Sequence, residues 1–160
     1  MATGVKELKL WQEAVALGGD VIRLVRQSAR RETKSFSDRL MHAAVAVATG
    51  VADGHARYEP LEQRRSYLAA RRALAELETH LAIARHAELV PAAAVAQLTG
   101  RAATVGRLLG GYLAYIERQL ATQLTTQPIA PPAARPPSPP LSLPPTPPSG
   151  APAAASPVPP

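Results

Sequence analysis

Apolar residues recur along this chain at alternating steps of four and three in four separate stretches, a spacing that draws one stripe on an α-helix. Leu10, Ala14, Leu17, Val21 and Leu24 carry the first stripe, and Trp11, Val15, Gly18, Ile22 and Val25 form a second seam beside it. Two adjacent seams make a face wider than one neighbour in a small bundle needs. Trp11, Ile22 and Val25 are therefore expected at a contact with another subunit.

Arg30, Arg31, Glu32 and Thr33 read as a polar linker, with Ser35 or Ser37 as the N-cap of a second helix that carries Leu40, Ala44, Val47, Val51 and Gly54 and ends near Arg57. Pro60 stands where a first-turn proline belongs and opens a third helix reaching His86, whose stripe is Tyr67, Ala70, Leu74, Leu77, Leu81 and Ala84. Pro91 opens a fourth, with Val95, Leu98, Ala102, Val105, Leu109, Tyr112 and Ile116 in phase. Gly100, Gly106, Gly110 and Gly111 interrupt it. Each exposed glycine costs a helix about 1 kcal/mol relative to alanine, so these four imply tight crossings or a locally weak helix. With no strand pattern and short connections, the fold class is all-α, an antiparallel up-and-down four-helix bundle.

Fifteen of the 17 prolines fall between Pro128 and Pro160, in a segment of Pro, Ala and Ser with almost no charge. Such a composition predicts a disordered or polyproline II tail over 128–160 and confines the bundle to 1–127. Seventeen of the 18 basic residues and all 12 acidic ones precede Pro128, giving the bundle a net charge of +5. That balance suits a polyanionic partner. The chain has no cysteine, which excludes disulfides and thiolate chemistry. Met1 to Glu7 lack an apolar signal core, and Arg101 and Arg107 break the most apolar region below membrane-spanning length. The expectation is a cytoplasmic protein without a membrane partner.

His42, His55, His80 and His86 invite a test for a metal site, but the di-iron pattern Glu-x-x-His is absent and Glu76 with His80 reads as a surface pair. No glycine-rich phosphate loop follows a strand, and Ser28, Ser35, Ser37 and Ser66 have no base at a meaningful spacing. The chain therefore reads as a non-enzyme without cofactor or metal. The basic residues, by contrast, cluster. Arg23, Arg26 and Arg30 share one face of the first helix, and Arg57, Arg64 and Arg71 recur every seven residues with Arg65 and Arg72 alongside. Guanidinium groups present forked donors suited to phosphate oxygens, although Arg72 could equally bond Glu76 one turn on. Only Tyr58 and Tyr67 lie nearby, so the expected contact is to the nucleic-acid backbone, without stacking or sequence specificity.

Leu10-Trp11-Gln12-Glu13-Ala14, the segment Ala43 to Arg57, and Ala70-Arg71-Arg72-Ala73-Leu74-Ala75-Glu76-Leu77-Glu78-Thr79 together resemble, in order, three segments of the 23S ribosomal-RNA intervening-sequence proteins. The resemblance implies a four-helix bundle. It includes the accessory variability proteins of diversity-generating retroelements, which implies a pentameric barrel that binds nucleic acid and a reverse transcriptase. Met41, His42, Ala48 and Gly50 depart from the family pattern, Asp53 replaces its glutamate, and Arg57, Arg71, Glu76 and Glu78 match it. The leading expectation is a non-enzymatic homo-oligomer binding RNA or DNA beside a reverse transcriptase. Its rivals are a structural oligomer whose partner is a protein, and a bundle encoded in a ribosomal-RNA insertion with no nucleic-acid contact.

Overall fold

The computed structural model describes residues 4–28 and 31–126; Arg30 and the proline-rich segment 128–160 lie outside them. A single 3₁₀ turn, Val5–Glu7, leads into α1 (Lys9–Ser28), a second, Arg31–Thr33, into α2 (Lys34–Ala56), and α3 (Pro60–His86) and α4 (Ala92–Thr126) follow. Neither Ser35 nor Ser37 caps α2. Both lie inside it, and the N-cap position is Thr33, preceded directly by the second 3₁₀ turn and making no side-chain capping bond. Pro60 occupies the first turn of α3, where its missing N–H costs nothing. Pro91 instead stands just before α4, its carbonyl accepting from the N–H groups of Ala94 and Val95 at 3.0 and 3.2 Å.

α3 ends in a Schellman pair: Leu89 N–H donates to the Ala84 carbonyl at 3.0 Å and Glu88 N–H to that of Arg85 at 3.1 Å. Glu88 adopts φ 53°, the left-handed conformation in which glycine is the usual residue.

Each helix packs on its successor in the chain and α4 closes back on α1, while the diagonal pairs have no close backbone approach among the described residues. This ring of neighbours is that of a four-helix bundle. All four apolar stripes meet inside it, with Leu10, Leu17, Val21, Val47, Val51, Leu77, Leu81, Val105, Leu109 and Ile116 fully enclosed. Leu24 and Val25 belong to the same core, each only 7 % exposed. The chain's own core thus absorbs most of the wide face of α1. Val25, expected at a subunit contact, is used inside the subunit because α1 lies between two neighbours, α2 and α4.

The close crossing also lies elsewhere than expected. Gly100, Gly110 and Gly111 of α4 have open space where a Cβ would stand, and at Gly106 one would meet only Leu74 Cδ2 at 3.5 Å. A Cβ on Gly50 would meet Ala70 at 3.0 to 3.1 Å, its backbone N and Cα included, and one on Gly54 the Tyr67 ring at 2.9 to 3.0 Å. Glycine is what lets α2 lie against α3.

Candidate nucleic-acid interface

A polar cluster holds the turn from α2 into α3. Asp53 Oδ1 accepts from Arg57 Nε and Nη2 at 3.2 and 2.9 Å, and its Oδ2 accepts from Ser66 Oγ at 2.5 Å. Glu62 stands between two guanidinium groups, 3.8 Å from Arg57 Nη1 and 2.7 Å from Arg65 Nη1. Gln63 Nε2 donates to the Arg57 carbonyl at 2.7 Å, and Arg64 reaches Glu117 on α4 at 3.3 Å. Ser66 is the one buried polar residue among those described, and its hydroxyl is satisfied by Asp53. The Ser66 hydroxyl first, and Arg57 second, hold the Asp53 carboxyl below the usual aspartate range.

A second network spans the seam between α1 and α4. Glu13 lies 2.8 Å from Lys9 Nζ and 3.4 Å from Arg101 Nη1, and Asp20 lies 3.0 Å from Arg101 Nε and 3.3 Å from Arg23 Nη1. Hydrogen bonding and charge from Lys9, then Arg101, lower the Glu13 carboxyl as well. In the sequence Arg101 registers only as a break in an apolar run. The available signal is the seven-residue spacing of Glu13 and Asp20, which sets both carboxylates on one side of α1.

Both lowered carboxyls give stability a definite acid limb. Their charged forms favour the fold, so this contribution is complete above the ordinary values of 4.5 for Glu13 and 3.8 for Asp53 and is lost as pH falls through the lower folded values. Thermal unfolding should be flat near neutrality and decline below about pH 4.5. Asp53→Asn, which removes one of the two groups, should make that decline shallower; an unchanged acid limb would mean that Asp53 contributes nothing to it.

The structure divides the predicted arginines. Arg23, Arg57, Arg64 and Arg65 are committed to ion pairs within the chain. Arg26, Arg71 and Arg72 are exposed and make no ion pair among the described residues, and Arg30 lies outside those residues. Arg72 and Glu76, one turn apart, do not pair. The expected continuous patch around α2 and α3 is thus interrupted: Asp53, Glu62 and Glu117 neutralise its upstream half, leaving Arg71 and Arg72. Of the expected subunit-contact residues, Trp11 and Ile22 remain partly exposed, while Val15 and Val45, either side of the Gly18–Ala44 approach, are 42 % and 50 % exposed.

The exterior of α4 holds a groove of about 470 Å³ lined by Arg107, Leu108, Gly111, Tyr112 and Tyr115. Tyr112 rests against Tyr67, ring centroids 5.8 Å apart, and Gln119 Nε2 donates to Tyr115 Oη at 2.7 Å. Burial pushes the Tyr67 phenol up to about 12, so it stays neutral under ordinary conditions.

Four helices around one apolar core, with polar networks at a turn and a seam among the described residues, define a small helical-bundle protein. The chain belongs to the 23S rRNA-intervening sequence protein family, whose pattern matches residues 6–111, from the first 3₁₀ turn through most of the α4 core stripe. No curated protein matches it. Among the described residues, no helix is long and apolar enough to cross a membrane.

Proposed function

We propose that this chain is a non-enzymatic, oligomeric protein that binds nucleic acid through its phosphates and serves as an accessory subunit to a retroelement reverse transcriptase. The observation that carries the nucleic-acid reading is the set of exposed guanidinium groups of Arg26, Arg71 and Arg72, which no carboxylate among the described residues engages. The neutralised arginines can still take part in it. Exposed ion pairs contribute about 0 to 1 kcal/mol each, so a phosphate can displace Glu62 or Glu117 at small cost. The reverse transcriptase enters only because the 23S ribosomal-RNA intervening-sequence proteins, which segments of α1 to α3 resemble, include the accessory variability proteins.

Single-stranded RNA titrated at several salt concentrations tests the reading. Affinity should fall linearly on a log–log plot, and Arg71→Gln with Arg72→Gln should flatten the slope by about 0.7 for each phosphate no longer neutralised. Salt-independent binding, or none, would remove the nucleic-acid role. The second reading, a structural oligomer with a protein partner, is favoured by one observation: the Asp53, Glu62 and Glu117 pairs cancel much of the basic surface that the sequence promises.

A further inference from the structure

The α4 groove combines three properties, of which the first two are not required by backbone binding alone. Two tyrosine rings line it, both held in place: Tyr112 by Tyr67 from behind, Tyr115 by Gln119 at its hydroxyl. Tyr115 is nevertheless 53 % exposed, so ring surface remains available. Gly111 forms part of the wall and has open space where a Cβ would stand, which keeps the approach to the rings clear.

Charge is the third property. No carboxylate lines the groove, and Arg107 stands at its rim, donating a 3.4 Å hydrogen bond to Thr104 Oγ1 and making no ion pair among the described residues. Arg118 lies on the same helical stripe as Arg107 and Gly111, with no ion pair among the described residues, so cations flank Gly111 along the helix. A flat aromatic surface between guanidinium groups fits an unpaired nucleobase whose flanking phosphates meet the arginines. Tyr112 and Tyr115 lie beyond residues 6–111, the span that the family pattern covers.

We propose that this groove is a base-stacking subsite for single-stranded nucleic acid, with Tyr115 as the stacking platform and Arg107 as the phosphate contact. The inference rests on the nucleic-acid reading above and adds to it a preference for unpaired bases. Duplexes keep their bases stacked internally and could offer the groove only backbone.

The test compares a short oligouridylate with an abasic strand of the same length, bound by the full chain and by Tyr115→Ala, Tyr115→Phe and Arg107→Gln. Tyr115 is half-exposed, and circular dichroism verifies that the variants stay helical. The parent should bind the base-containing strand about tenfold more tightly than the abasic one. Tyr115→Ala should erase that difference without altering the salt slope, Tyr115→Phe should retain it, and Arg107→Gln should flatten the slope by about 0.7. Equal binding of both strands by the parent, with salt dependence intact, would overturn the subsite and leave the backbone reading standing. A parent that binds neither strand would overturn both. Should Tyr115→Ala instead shift sedimentation while RNA binding is unchanged, the groove is a seat for a second copy, and the stacking role is refuted.

Discussion

Replacing Gly50 by leucine is expected to lower stability by about 2 to 3 kcal/mol, the upper part of the range for overpacking a filled interface. A Cβ at this position already meets the N and Cα of Ala70 at 3.1 Å, and a backbone cannot rotate aside as a side chain can. The added side chain must therefore part α2 from α3, the most extensive contact in the ring. For a domain of this size the melting temperature should fall by about 10 °C. Gly100→Ala is the matched control. Open space surrounds that position, so the methyl group should raise stability by about 0.5 to 1 kcal/mol through helix propensity alone. If Gly50→Leu melts with the parent, the close approach of α2 to α3 is not what its glycines provide.

The second large effect separates the chain's own core from its exterior. Leu17 is fully enclosed, and Leu17→Ala should cost about 2 to 5 kcal/mol, through the missing buried methyl groups plus the cavity left behind. Val15, two residues earlier, faces outward and is 42 % exposed. Val15→Glu should hardly change the stability of a single subunit, since surface substitutions fall within about 0.5 kcal/mol. If copies associate through the outer face of α1 and α2, however, it places a charge in their contact. Sedimentation of the parent and of Val15→Glu reads this directly: the variant should move to smaller species. An assembly indifferent to Val15→Glu would shift the subunit contact away from this face.

Much of the fold can be read from spacing, because the 3,4 alternation reports the phase of each helix and the core is where four such phases meet. Tyr67 to Ala84 and Val95 to Ile116 fall on the observed stripes for that reason, and Pro60 marks the start of α3. Spacing within one helix says nothing of what stands opposite. Arg64 finds Glu117 53 residues away, and Arg101 finds Glu13 88 residues away, so those pairs are hidden in the sequence, whereas Arg23 with Asp20, Arg57 with Asp53 and Arg65 with Glu62 pair within one helical turn and lie within reach of spacing alone. Glycine misleads on the same grounds. Four glycines in α4 suggest a crossing, yet the crossing uses Gly50 and Gly54, because only the residue on the facing helix decides whether a missing side chain is filled by a neighbour. The α4 groove escapes a reading of spacing because Tyr112 registers as part of a core stripe and Tyr115 as nothing, while the wall they share with Gly111 and Arg107 appears only once the helix stands in the bundle.

The seam between α1 and α4 is the least extensive in the ring, and Arg101 crosses it with two ion pairs. Attraction between partly exposed charges weakens as salt rises, whereas the glycine-mediated packing along α2 and α3, away from the Arg57 pairs at their turn, is apolar contact that salt does not screen. The bundle is therefore expected to open in order, α1 and α4 separating first and the α2–α3 hairpin persisting as the most protected unit. Amide exchange along α1 would then quicken with salt while that of the hairpin stayed slow. On the proposed nucleic-acid reading, the ionic strength that loosens a phosphate backbone from the exterior arginines would also relax the ring that presents them.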